Sequence, residues 1–246
     1  MSAVSTAARE LAAERRGTTL FLTLDRPEKM NVLSATLVEA LLAEVDAAYR
    51  DGTRLLVLRG NGRNFSAGFD FGGVEAQSEG DLLLRFVRIE QLLQSLYHAP
   101  FDTLALAHGK NFGAGVDLFG ACTLRIAAPE ASFRMPGLQF GLVLGTRRFA
   151  TQVGAERARA ILQASHTFGT EEALGLGFVH RSVDAEEWPD LVVEAEQAAT
   201  GLAPATATRL GGVLRTDTRD ADLADLVRSA AEPGLKARIA AYLGRR

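Results

Sequence analysis

The sequence predicts an α/β fold, on three observations. First, an apolar and β-branched run at 18–24 is followed by a helix-periodic stretch at 34–49 and a second apolar run at 55–59. Strand, helix, strand in that order is how α/β proteins are assembled. Second, an apolar run leading into a small-residue turn occurs twice, at 55–70 and again at 103–117. That suggests a repeated structural unit, although no repeat shows at the level of residue identity. Third, beyond Asp184 the pattern is almost wholly helical.

Composition narrows the function classes. The 246 residues suit one large domain, or a domain with an appendage. With 47% hydrophobic and 23% charged residues the chain has the makeup of a soluble enzyme. A net charge of −3 offers no electrostatic case for nucleic acid or an acidic membrane surface. The single cysteine, Cys122, excludes an internal disulfide and fits a reducing compartment. Residues 1–16 hold no apolar core of signal-peptide length. The longest apolar runs fall far short of the about 20 residues that span a bilayer. Four scattered histidines and one cysteine show no metal-ligand spacing. The expectation is a cytoplasmic protein without a metal.

Each element follows from local signals. Residues 18–24 (TTLFLTL) stop at Asp25-Arg26-Pro27, which reads as a strand and a turn. Ser34 is placed to cap a helix in which Leu37, Leu41, Val45 and Ala48 recur at helical spacing, and Asp51-Gly52 ends it. Leu55 to Leu58 lacks polar alternation, as a strand buried on both faces does. Residues 74–80 read as a loop. The stretch 81–97 reads as an amphipathic helix burying Leu84, Val87, Ile89, Leu92, Leu93 and Leu96. A strand at 103–107, a helix from about Gly115, and short strands at 124–128 and 132–134 follow. Residues 146–162 read as one helix, Thr170 as the cap of a short helix ending at Gly175 or Gly177, and 178–183 as a last strand. Helices then fill 188–200, 204–214, 220–231 and 235–243, a tail suited to covering the core or a neighbouring subunit.

The functional reading rests on the two turns, Phe65-Ser66-Ala67-Gly68-Phe69-Asp70 and 108–117 (HGKNFGAGVD). Small residues let the backbone approach a ligand and leave its N–H groups unencumbered. Two such N–H groups converging on one point make an oxyanion hole. Around them stand Asp25-Arg26-Pro27 through Asn31-Val32-Leu33-Ser34, then 60–70 (GNGRNFSAGFD), Ala107-His108-Gly109 to Gly115-Val116-Asp117, Ala131-Ser132-Phe133 with Pro136, and 170–179 (TEEALGLGFV). In order and spacing this set resembles the enoyl-CoA hydratase/isomerase (crotonase) superfamily, from about residue 18 to 185.

That resemblance implies a crotonase-like spiral of ββα units over 1–185 and a C-terminal helical trimerisation region over 186–246, in a homotrimer or dimer of trimers. It also implies an acyl-CoA substrate, with coenzyme A as part of that thioester and no separate cofactor. Carried onto the matching positions, the backbone N–H groups of Ala67 and Ala114 would hold the thioester oxygen. Lys29 and the segment Ala67, Gly68, Phe69 and Asp70 would line the CoA groove. Ala114 stands where the family usually has glycine; its N–H donates equally well, while its methyl narrows the site.

Two departures shape the expected chemistry. Hydratases of the family use two glutamates, where this chain has Asp117 and Gly137. Aspartate is shorter than glutamate by one C–C bond, ~1.5 Å, and Gly137 supplies no carboxylate. The usual glycine-rich turn is shortened to Leu144-Gly145-Thr146-Arg147-Arg148. One carboxylate beside a polarised thioester can take an α- or γ-proton and return it elsewhere, which isomerises a double bond. The expectation is therefore an enzyme with Asp117 as its single acid/base, isomerising in preference to hydrating. The alternatives are a weak or inactive homologue that binds CoA esters or serves as a partner subunit, and a thioester hydrolase on the same fold. Structural roles compete for the same residues. Asp117 could satisfy free helix N–H groups, Asp70 could brace its turn, and Lys29 could be a solvated loop lysine. His98 and His108 suit structural positions, Arg147-Arg148 suit a salt bridge within an oligomer or a phosphate, and Cys122 suits the core.

Overall fold

The structure, a computed structural model, describes residues 10–244; most of the 1–16 segment lies outside that range. The main sheet runs in the order β1 (Leu11–Arg16), β2 (Thr19–Leu24), β3 (Leu55–Gly60), β4 (Asp102–Ala107), β6 (Leu124–Ala127) and β9 (Arg181–Ser182). A smaller sheet holds β5 (Lys110–Phe112), β7 (Ser132–Arg134) and β8 (Thr167–Gly169). Apart from β1, the strands of the main sheet pair in parallel. Parallel pairing requires crossovers, which helices α1 (Ala35–Ala48), α2 (Glu79–Tyr97) and α3 (Ala114–Gly120) supply.

After each main strand the chain steps sideways into a second tier. There Leu33 pairs with Phe69, Ser66 with Asn111, and Asn111 with Phe133. Successive turns therefore stack rung on rung, as a spiral. Asn31, fully buried, rivets two of these turns: it accepts from the Arg26 N–H and donates to the carbonyls of Asn61 and Asn64, each at 2.8 Å.

The main strands are apolar on both faces because both faces are covered. Leu20, Leu22, Leu24, Leu56 and Leu58 join the large core beneath α1 and α2. Their alternates, Phe21, Leu55, Val57, Leu104 and Leu106, pack against Leu191, Ala195 and Ala199 of α7 (Trp188–Thr200). The chain closes with α4 (Thr146–Val153), α5 (Ala155–Ala164) and α6 (Thr170–Gly175) before α7, then α8 (Pro204–Leu214), α9 (Arg219–Ala230) and α10 (Leu235–Leu243). Helix α9 lies along α2, and α10 lies over the 3-10 turn Gly137–Phe140. Among the described residues no helix is long and apolar enough to cross a membrane.

Several elements differ from expectation. Strand β1 carries no strand signal, being exposed along Ala12 to Arg16, and forms because β2 presents an open edge to it. Helix α2 begins at Glu79, where Ser78 and Asp81 form a reciprocal capping box. Its buried face holds Leu82, Phe86 and Glu90, while Leu84 points outward at 58% exposure. The expected single helix at 146–162 breaks at Gly154, whose φ of +86° a helix cannot contain. Thr170 opens α6 from inside rather than capping it, and its hydroxyl donates to the carbonyls of Ala128 and Ala131. The last strand shrinks to Arg181–Ser182, because Phe178 and Val179 fold back onto the end of α6. Ser34 caps α1 as its sequence suggests, accepting from the Leu37 N–H at 3.0 Å.

Candidate active site

The two small-residue turns meet. Phe112 N–H donates to the Ser66 carbonyl at 3.0 Å, and a Cβ built on Gly68 would fall 2.3 Å from the Phe112 carbonyl oxygen and 2.9 Å from the Ala114 nitrogen. A Cβ on Gly115 would fall 2.3 Å from the Ser66 carbonyl oxygen. Only glycine allows backbones this close, and Gly68 also takes a φ of +81°.

Ala114 opens α3, and its N–H has no partner among the described residues, as expected for the first turn of a helix. The Ala67 N–H donates to the Met30 carbonyl at 2.9 Å, so in this conformation Ala114 is the donor at hand. Both alanines line one pocket, which encloses about 590 Å³ with its mouth included. Its wall is largely Phe69, Phe71, Phe86, Phe112 and Phe140, with Leu142, Leu144 and Leu162. Phe69 stacks on Phe86 at 4.3 Å between centroids, and Arg85 lies over the Phe69 ring at 4.1 Å. Tyr242 of α10 packs on Phe140 at 5.2 Å.

Asp117 also lines this pocket and is the sole carboxylate among its described lining residues. It sits three residues after Ala114, on the same face of α3. Among the described residues no hydrogen bond joins the Asp117 carboxyl to the free N–H groups at the start of α3, and its Oδ1 is unpartnered. Asp117 is 7% exposed. Burial pushes its carboxyl well above the usual aspartate range; the Arg148 charge works against that and Glu90 adds to it. Gly137 borders the pocket and brings no carboxylate.

Asp70, Lys29, His108 and Cys122 are not among the residues that line this pocket. Asp70 braces its turn, accepting from the Gly72 N–H at 2.8 Å and from Arg26 at 3.0 Å. Lys29 lies exposed on the 3-10 turn Pro27–Lys29, its side chain without a partner among the described residues. His108 donates from Nε2 to the Gly62 carbonyl at 2.9 Å, and Cys122 is buried, its thiol pushed up to about 12 by burial. Arg147 and Arg148 are not a helix-surface pair awaiting an oligomer: both form ion pairs within the chain. Arg148, 5% exposed, pairs with Glu90, 1% exposed, and with Asp222, while Arg147 binds Asp222 and Asp225. The phenylalanine wall, Gly145 and the Glu90–Arg148 pair carry no local signal. The 13 phenylalanines against one tryptophan hint only that some aromatic surface is special.

A stacked spiral with a helix-borne carboxylate beside an open N–H over an apolar pocket defines a crotonase-type site. The family model for enoyl-CoA hydratase/isomerase matches residues 14–230, and the chain belongs to that family. A protein of Bacillus subtilis named a probable enoyl-CoA hydratase is 31% identical over 200 residues, covering 78% of this chain and 76% of its own. One from Rhodobacter capsulatus with the same name is 37% identical over 167 residues, covering 66% of this chain and 64% of its own. A crystal structure from Bordetella parapertussis with an enoyl-CoA hydratase/isomerase designation superposes with a TM-score of 0.94 at 60% identity, covering 95% of this chain and 98% of its own. The enoyl-CoA hydratase of Bacillus halodurans, at 22% identity and TM-score 0.84, covers 94% of this chain and 99% of its own and shares the fold.

Proposed function

We propose that this enzyme binds an acyl-CoA thioester and moves a proton at the carbon beside its carbonyl, using Asp117 as the single acid/base. The supporting observation is the lone carboxylate of Asp117, buried one helical turn from the open Ala114 N–H. A thioester oxygen placed on that N–H gains charge as the α-carbon loses its proton, and the donor stabilises it most when the charge is greatest. Ala67 is the second donor of this proposal, its N–H shared between Met30 and the thioester. A raised proton affinity suits Asp117 to return a proton as well as take one. With Gly137 leaving no second group to hold a water, isomerisation is favoured over hydration. The acyl group lies among the phenylalanines, and the CoA end runs past Gly68, Phe69 and Asp70 towards Lys29.

The reading extends to a homotrimer or dimer of trimers in the cytoplasm, with no separate cofactor. The C-terminal region from 186 would supply the subunit contacts: Val213 and Leu214 at the end of α8 are 79% and 74% exposed, apolar surface that a subunit contact would cover. Light scattering on the purified protein tests the assembly. The reaction is tested by incubating a trans-3-enoyl-CoA with the protein in D₂O and following mass. A deuterated 2-enoyl isomer supports the proposal. Addition of water overturns the preference for isomerisation, and unchanged substrate with binding confirmed separately overturns the catalytic reading.

A further inference from the structure

Beside the phenylalanine pocket, sharing Asp117 and Met135 with it, lies a second and smaller gap. It is bordered by Asp117, Gly120, Gly145, Arg148 and Gln152, among others. Two buried polar atoms at this gap have no partner among the described residues: Asp117 Oδ1 and Gln152 Oε1. The Gln152 amide is held in one orientation, since its Nε2 donates to the Gly120 carbonyl at 2.6 Å and the flipped amide would set oxygen against oxygen. Oδ1 lies close to Gly145, where an added Cβ would fall 1.8 Å from it, and Gly145 borders this gap.

Both orphaned atoms are acceptors when Asp117 is ionised, so neither can satisfy the other. They need a small molecule with two donors, and the gap has room for about one water. We infer that this gap is a one-water site, in which the water donates to Gln152 Oε1 and to Asp117 Oδ1, and that Gln152 is a positioning residue for the Asp117 carboxylate. The inference deepens the proposed function and rests on it for its bearing on catalysis. The water donates a hydrogen bond to the charged form of the carboxyl, so ionisation is eased by a donor held in a fixed place. The charges that act on Asp117 are Arg148 from α4 and Glu90 from α2; Asp222 from α9 pairs with Arg148, and Arg147 pairs with Asp222 and Asp225. Arg148 is already engaged by Glu90 and Asp222. That leaves the water as the direct donor to Oδ1.

Infrared titration of the full-length protein tests this. The C=O stretch of protonated Asp117 is identified as the band missing in Asp117→Asn, and its midpoint is followed with pH. Loss of one hydrogen bond to the carboxylate in Gln152→Leu should raise the midpoint by about one pH unit, a tenfold rise in proton affinity. Gln152→Met, closer in length, should do the same and serves if the leucine variant does not fold. A high-resolution crystal structure should show density within hydrogen-bond distance of both acceptors. An unmoved midpoint in both variants, or a gap closed by direct Gln152–Asp117 contact, overturns the inference. The titration needs no substrate. Absent turnover with a shifted midpoint therefore counts against the thioester reading alone, and turnover with an unmoved midpoint against the water site alone.

Discussion

Gly145→Ala is the substitution whose outcome the geometry predicts most closely. Gly145 precedes α4 with φ +63°, and an ideal Cβ there would stand 1.8 Å from Asp117 Oδ1 and 2.6 Å from its Cγ. Contacts below 3.0 Å do not persist, so the carboxyl must retreat by about 1.2 Å or the turn must shift. The left-handed backbone adds roughly 1–2 kcal/mol of strain for a residue with a Cβ. A misplacement of about 1 Å in a reacting group can cost on the order of 10²-fold in rate. The variant should therefore melt below wild type and lose about 10²-fold in solvent-deuterium exchange at the acyl α-carbon of a bound acyl-CoA. Affinity for the CoA ester, measured by calorimetry, should hold within a few-fold, because the phenylalanine wall is untouched. Wild-type exchange in a variant with normal melting would refute both the placement of Asp117 and its role.

Three further outcomes rest on the same packing. Asp117→Asn should abolish exchange and keep CoA-ester affinity. Because burial raises the Asp117 pKa, the folded state holds this proton more tightly than the unfolded chain, and wild-type stability falls as pH climbs above about 4. The melting advantage of Asp117→Asn should thus widen with rising pH, and parallel melting curves would contradict it. Arg148→Met strands Glu90 as a buried, uncompensated charge and should cost about 3–5 kcal/mol in urea unfolding. Arg50→Met, which breaks an ion pair whose side chains are 67% and 65% exposed, should leave the unfolding midpoint almost unmoved, and equal losses would refute the distinction. Gly68→Ala drives a Cβ to 2.3 Å from the Phe112 carbonyl at φ +81°, so the two turns must part; it should lower both thermal stability and CoA-ester affinity, and retention of both would show that the turns need not touch.

The elements legible from sequence are those set within a few residues. The Ser34 cap, the periodicity of α1 and the apolar runs of β2, β3 and β4 follow from side-chain sterics and burial pattern along one stretch. Asp117 and Ala114 belong with these, since three residues of helix put them on one face whatever the surroundings. Strands β1, β5 and β8 were not legible, because each is made by the strand it pairs with rather than by its own residues. The exposed Leu84 shows the same limit within a helix. Periodicity reveals that α2 has a buried face, while the rotation of that face is chosen by the neighbours, which bury Glu90 for Arg148 from 58 residues away.

The candidate site divides along the same line. Sequence alone identified the carboxylate, the two glycine turns and the absence of a second acid at Gly137, because these are identities at positions. Tertiary structure alone decided that the Ala67 N–H is already bonded to Met30 and that the Asp117 carboxyl is desolvated. It also decided that phenylalanines from separate elements form one wall around the carboxylate. Desolvation and hydrogen-bond competition depend on which distant atoms arrive within a few ångströms, and that is set by the packing of the whole spiral.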